Sequence, residues 1–332
     1  MQNDYVNHFT ASINEEQAAY QSMVIADLSH YGLIEASGED VVEFLQGQLT
    51  NDIKLVTDKQ SQLSAYCNPK GRILANFRIF KHNEHYFFSL RANTLETTLK
   101  RLRMFIMRSK VELSDSSDTV IRMGIAGANA PAKLNDIFKS LPQQVDETQF
   151  ENDITLIKLA GELPRYEAYG SITSIKELWE SLQSDAELIG ENSWNLLTIR
   201  AAIPEIVAET VEEFVPQMVN LQSINSLSFT KGCYPGQEVV ARMHYLGKLK
   251  RRLFHGYLDS DTLPVPGQAI YADTKNQQKA GQIVTASWSK ERKVEILAVL
   301  QIEKAENSPL YLDADNQPAI EFLPLPYSVE KE

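Results

Sequence analysis

Cysteine is nearly absent: the 332 residues include only Cys67 and Cys233, neither in a CxxC or CxxH spacing. Nothing suggests a disulfide framework or a structural zinc site, and two thiols cannot by themselves supply a four-thiolate iron–sulfur shell. There is no apolar run of bilayer-spanning length, and the N-terminus lacks a basic stretch followed by an apolar one, so a cytoplasmic location with no membrane contact is expected. Low-complexity sequence is also missing. Basic charge is in deficit, with a formal net charge of -12, which disfavours stable sequence-independent binding to nucleic acid. The histidines His30, His82, His85, His244 and His255 are scattered rather than set at metal-ligand spacing, so no metal is expected.

What is present is an ordinary globular composition, 43% hydrophobic and 23% charged, in a chain too long for one core. Two basic clusters interrupt the acidic background: Lys100, Arg101, Arg103, Arg108 and Lys110, then Arg242, Lys248, Lys250, Arg251 and Arg252. They read either as solvated faces or as docking points for an anionic ligand or tail.

The turn Ser37-Gly38-Glu39-Asp40 leads into a short amphipathic helix with Val41, Phe44 and Leu45, ending near Gly47. Aromatic and aliphatic runs at 63–67, 72–81 and 86–90 read as three antiparallel strands. Leu95, Leu99, Leu102 and Ile106 recur at helical spacing behind Asn93 and Thr94 as caps. The pattern then repeats: a strand at 120–126, a helix through Leu134, Ile137, Phe138 and Leu141, strands at 154–159 and 165–169, and a helix opened by Ser174-x-x-Glu177. Two ferredoxin-like units of α+β class are expected, about 36–117 and 118–190, joined by 191–246 into one region spanning 1–246. Beyond Gly247, short runs at 252–258, 269–272, 281–286, 294–300 and 309–312 predict a small antiparallel β-barrel over 247–332, with a loose end at 328–332.

The most distinctive segment is Lys231-Gly232-Cys233-Tyr234-Pro235-Gly236-Gln237-Glu238. Two glycines and a proline force a tight backbone, and Gln237 and Glu238 begin an apolar run that suits a helix. A loop entering a helix N-terminus offers unpaired N–H donors. Cys233 reads either as a thiol activated by Lys231 or as a small residue in a turn.

Lys-Gly-Cys-Tyr-x-Gly-Gln-Glu resembles the signature of the YgfZ family, folate-binding relatives of the glycine-cleavage aminomethyltransferases. Gly38 through Asp52, Asn68-Pro69-Lys70-Gly71-Arg72 and the closing Glu321-Phe322-Leu323-Pro324-Leu325-Pro326-Tyr327-Ser328 extend the resemblance over nearly the whole chain. It implies the aminomethyltransferase-like fold, a central channel for tetrahydrofolate or another reduced folate, and ring contacts from Tyr31 and Trp194. It also implies support of iron–sulfur enzymes or assembly factors, a tRNA methylthiotransferase among them, and so of tRNA modification. Arg200 and the basic clusters are the candidates for the glutamate tail of the folate.

In Gly71-Arg72-Ile73-Leu74-Ala75-Asn76-Phe77 the resembling enzymes carry Gly-Gly-x-x-Asp-Asp-Leu, so Ala75 and Asn76 stand where two carboxylates are expected. Neither can accept a proton at pH 7, which argues for an accessory protein rather than an enzyme. The alternative, a folate-dependent aminomethyl transferase, needs a substitute carboxylate such as Glu238 or Asp52.

Overall fold

The architecture, seen in a computed structural model, is described for residues 13–273, 278–289, 293–312 and 319–329. Three sheets organise it. The first contains β2 (Tyr31–Ser37), β3 (Gln62–Cys67), β4 (Ile73–His82), β5 (His85–Arg91) and β6 (Glu112–Asp115) in the order β3-β4-β5-β2-β6. Its outer face carries α2 (Val41–Gln46) and α3 (Ala92–Arg103), which place Phe44, Leu45, Leu95, Leu99 and Leu102 in one apolar cluster with Ile34, Phe77 and Phe88 of the strands. The helical spacing of those leucines is why α3 forms, since one stripe faces the sheet and the charged stripe faces water. The helix starts at Ala92 rather than behind Asn93 and Thr94. Thr94 is buried and donates to the Arg91 carbonyl, so it serves within the first turn and not as its cap. Ile106 falls beyond the helix end and packs on the same core from outside it.

The second sheet runs β11-β1-β7-β10-β9-β8, with β7 (Ile121–Ala126), β8 (Thr148–Glu151), β9 (Ile154–Leu159), β10 (Arg165–Gly170) and β11 (Glu187–Ile189). Strand β1 (Val24–Asp27), which follows α1 (Ile13–Gln21), lies between β7 and β11, antiparallel to one and parallel to the other, so this sheet takes a strand from ahead of the first sheet in sequence. Its outer face is covered by α4 (Ala130–Asn135) and α5 (Ile172–Leu182). Helix α5 begins one turn before the expected Ser174, because Ser171 is the residue with extended backbone and its hydroxyl accepts from the Ser174 N–H. Helix α4 ends at Asn135, leaving Phe138 and Leu141 to pack as buried residues after it.

The inner faces of the two sheets meet over Leu33, Phe80, Phe87, Ile157 and Tyr169, with the Phe80 and Tyr169 rings 4.1 Å apart. Trp194 of α6 (Glu191–Arg200) closes this cluster at 0% exposure. Helix α7 (Gln237–Leu246) follows the signature loop.

The C-terminal region is a five-stranded antiparallel sheet in the order β13-β14-β15-β12-β16, built from β12 (Arg251–Asp259), β13 (Ala269–Asp273), β14 (Gln278–Trp288), β15 (Lys293–Gln301) and β16 (Glu321–Leu323), with α8 (Ile302–Asn307) after β15. The expected closed barrel is not found: among the described residues no ladder joins the edge strands β13 and β16. The run at 309–312 contributes a single bridge, Tyr271 to Tyr311, and the edge is built instead by the closing segment at β16. Residues 330–332 of the expected loose end lie outside the described residues. Helix α6 ties this sheet to the rest, since the Asn192 side chain donates to the Trp288 carbonyl and accepts from the Trp288 N–H.

A Cβ at Gly124 of β7 would stand 2.6 Å from the Trp194 ring. Neither a central strand nor a fully buried indole can yield easily, so Gly124→Ala should cost about 1–3 kcal/mol of stability. Urea unfolding measures this, and an unchanged midpoint would contradict the packing described.

Candidate functional site

Between the two sheets, under the 203–206 segment that follows α6, lies an inner chamber of about 60 Å³. Four guanidiniums line it: Arg78 on β4, Arg91 at the end of β5, Arg122 on β7 and Arg165 on β10. A cation in such a place must be paired or fully hydrogen-bonded. Arg78 donates to Asp146 at 2.5 Å and to the Ser61 hydroxyl at 3.1 Å. Arg122 pairs with Glu167 and donates to Ser89, while Glu167 also accepts from the Tyr169 phenol at 2.5 Å. Arg91 binds Glu191 at 2.6 Å and lies 3.6 Å from Glu205. Arg165 has no carboxylate salt bridge among the described residues. It donates to the carbonyls of Ala160 and Leu197 and to the Thr198 hydroxyl.

These surroundings set the charge states. Burial raises the Glu167 carboxyl, but Arg122 and Arg78 outweigh it and hold the group below its ordinary range. Burial pulls Arg165 down to about 10, with Glu167 opposing, so it stays cationic at neutral pH. The Nε groups of Arg122 and Arg165 are buried without an acceptor among the described residues. Unmet donors at a cavity wall are what a polar ligand or water would satisfy.

Leu63, Arg78, Ala160 and Ile203 border both this chamber and a wider cleft of about 840 Å³. The cleft opens between the second sheet and the C-terminal sheet, past Tyr20, Arg200, His255, Glu295 and the closing residues Leu323 to Tyr327. Its size falls in the range of small-molecule sites.

The expected site residues divide. Tyr31 is in the chamber wall, but its ring already lies under the Arg122 guanidinium, 3.7 Å away, and its hydroxyl donates to Glu205 at 2.5 Å. Trp194 lines neither cavity; its ring supports Gly124 and faces Arg165 at 4.8 Å, and its Nε1 has no acceptor among the described residues. Arg200 reaches the cleft, yet its guanidinium is engaged by Glu295 and the Tyr20 hydroxyl. Neither basic cluster borders the cleft. Sequence reasoning did not single out Arg78, Arg91, Arg122, Arg165, Glu167 or Glu205. The available signal was charge inside otherwise apolar strands, as in Arg165-Tyr166-Glu167.

The signature loop stands apart from both cavities. Lys231 is 8% exposed, and its ammonium donates to the carbonyls of Gln46, Leu49 and Asn51 at 2.8, 2.5 and 3.1 Å. All three donors are spent on holding the turn after α2, which leaves none for the thiol. Burial draws this ammonium down to about 8. Tyr234 is buried with Lys231 5.2 Å from its ring, whereas Gly232 and Cys233 are exposed. Gly236 has φ +84, and a Cβ there would meet the Asn68 carbonyl at 2.5 Å, so the loop packs backbone to backbone on the 68–71 turn. Gln237 opens α7, and Glu238 pairs with Arg242 at the surface. Asp52 accepts from the Lys54 N–H in a local turn. Neither of the two proposed substitute carboxylates faces the chamber.

Comparison with known proteins places this geometry. The model of the GCVT N-terminal domain matches residues 1–227. The tRNA-modifying protein YgfZ of Yersinia enterocolitica is 31% identical over 93% of this chain and 94% of its own length, and that of Yersinia pseudotuberculosis is equally similar. The chain belongs to the YgfZ family of GCVT-domain proteins. The glycine cleavage system aminomethyltransferase T of Bartonella henselae has the same mixed α+β fold, with a TM-score of 0.75 at 15% identity, covering 95% of this chain and 88% of the enzyme.

Two measurements check the site. Cys233 is exposed, whereas Cys67 is buried and its thiol is pushed up by burial. A thiol reagent should therefore titrate one equivalent in the native protein and the second only after denaturation; two fast equivalents would contradict the placement of Cys67. His30, beside Tyr31, is lowered to about 2 by burial, then by Arg91 and Arg122. The unfolded chain gains a proton near pH ~6.5 that the folded chain refuses, so this residue erodes stability as pH falls below that point, by at most about 1.4 kcal/mol per pH unit. The His30→Asn stability curve should be correspondingly shallower below pH ~6.5; parallel curves would contradict it.

Proposed function

We propose that the cleft and chamber hold a reduced folate, tetrahydrofolate or a one-carbon derivative, and that the protein acts as an accessory factor in tRNA modification. The carrying observation is the pairing of a cleft of about 840 Å³ with a chamber of about 60 Å³ edged by guanidiniums and carboxylates. The chamber has room for a few waters or for the polar edge of a ligand. A flat bicyclic ring would lie in the cleft with its polar edge against the chamber, where Arg122, Arg165 and Glu205 offer donors and an acceptor. The aminobenzoyl-glutamate portion would point toward the mouth. Because Arg200 is committed to Glu295, the tail would meet solvent more than a clamp.

The names of the Yersinia relatives support the link to tRNA modification, and the GCVT domain supports the folate. The iron–sulfur partner implied by the resemblance remains part of the proposal, as does the cytoplasmic setting. Cys233 and Gly232 are exposed away from the cleft, which suits contact with a partner protein better than contact with folate.

The accessory reading rests on Ala75 and Asn76. Asn76 reaches the chamber, but its amide is spent on backbone, donating to the Pro204 carbonyl and accepting from the Ile206 N–H, both at 2.7 Å. One observation favours the second reading, a one-carbon transferase: the chamber does contain carboxylates, Glu167 and Glu205. Against burial, Arg122 and Arg78 hold Glu167 below its ordinary range, which opposes proton shuttling there, and Glu205 accepts from Tyr31 beside Arg91.

Calorimetric titration with tetrahydrofolate should give saturable one-to-one binding, and incubation with an aminomethyl donor should yield no methylenetetrahydrofolate. Absence of binding to any reduced folate would reject the folate site. Turnover with the donor would replace the accessory reading by the transferase.

A further inference from the structure

The amide at Asn76 and the carboxylate at Glu205 belong to one device. Both polar atoms of the Asn76 side chain are taken by the backbone on either side of Glu205, at Pro204 and Ile206. This clamp fixes the 203–206 segment and turns Glu205 into the chamber wall. Strand β4 therefore lacks a carboxylate of its own, but its asparagine presents one from a neighbouring segment.

Glu205 is also held from the other side. Its Oε1 accepts the Tyr31 hydroxyl at 2.5 Å, and its Oε2 lies 3.6 Å from Arg91. Arg122 covers the Tyr31 ring at 3.7 Å, so the phenol acts as a strut for Glu205 rather than as a stacking surface. A carboxylate can accept about four hydrogen bonds. One hydrogen bond and one looser ion contact leave Glu205 with accepting capacity. Glu167, the other carboxylate in the chamber, is more deeply enclosed: its side chain is 5% exposed, against 17% for Glu205.

We propose that Glu205 is the specificity-determining acceptor of this chamber, receiving a pair of adjacent N–H donors on the edge of the bound ring. Two parallel N–H groups match the two oxygens of a carboxylate. In a reduced folate those donors are the ring N–H and the 2-amino group of the aminopyrimidinone edge. The inference rests on the folate reading of the cleft and adds to it the residue that recognises the ring.

The test titrates wild type and Glu205→Gln with tetrahydrofolate and with its 2-desamino analogue. Wild type should bind tetrahydrofolate about 10–100-fold more tightly than the analogue, the scale of hydrogen bonds to a charged group. Glu205→Gln should lose at least that factor for tetrahydrofolate and clearly less for the analogue, which keeps only the ring N–H of the paired donors. Equal losses for both ligands, or no loss, would overturn the assignment and leave the folate reading standing. Equal wild-type affinity for the two ligands would overturn it without any variant, should Glu205→Gln fail to fold. Wild type that binds neither ligand would overturn the folate reading and this assignment together.

Discussion

Four arginines enclosed between two sheets impose the constraint from which the rest follows. Each guanidinium costs several kcal/mol to desolvate, and removing the partner of a buried ion pair typically costs about 3–5 kcal/mol. The surrounding residues are those that satisfy this demand: Asp146 and Ser61 for Arg78, Glu167 and Ser89 for Arg122, Glu191 for Arg91, and carbonyls with a threonine for Arg165. Several of these bonds cross between the sheets. Arg78 of the first sheet reaches Asp146 ahead of β8, and Arg122 of the second reaches Ser89 of β5. The same charges that fasten the sheets together therefore keep the space between them polar.

A polar chamber beside an apolar cluster is the setting that the proposed folate site uses. Trp194, Phe80 and Tyr169 fill one part of the sheet interface, and the guanidiniums edge the other. Trp194 packs against Gly124 and Arg165 and lines neither cavity. The signature loop is a separate construction: Lys231 is an internal tie to three carbonyls, and Gly236 permits close backbone packing. What that tie leaves exposed is Cys233, which is not among the residues lining the cleft.

Much of the fold was legible because periodicity reports which face is buried. The leucines of α3 and the strand runs of β3, β4 and β5 fall close to their expected places. Helix starts were less legible, because Ser171 and Ser174 both have capping side chains and only backbone conformation chooses between them. The edge of the C-terminal sheet was misplaced since 309–312 and 321–323 have similar apolar character, and long-range pairing decides. For the site, the motif drew attention to a loop outside the chamber lining, in which Lys231 is an internal tie and Cys233 is exposed. The chamber residues come from seven strands, α6 and the segment after it, and no local pattern collects them. Charged residues embedded in apolar strands were the readable trace.

The central claim is that the paired guanidiniums and Glu205 edge a ligand site continuous with the cleft. A crystal structure of the protein grown with saturating tetrahydrofolate tests it most directly. The account requires ring density in the cleft with its amino edge against Glu205 and its tail toward Tyr327. Density at another surface, or a cleft filled only by water at saturating ligand, would contradict it.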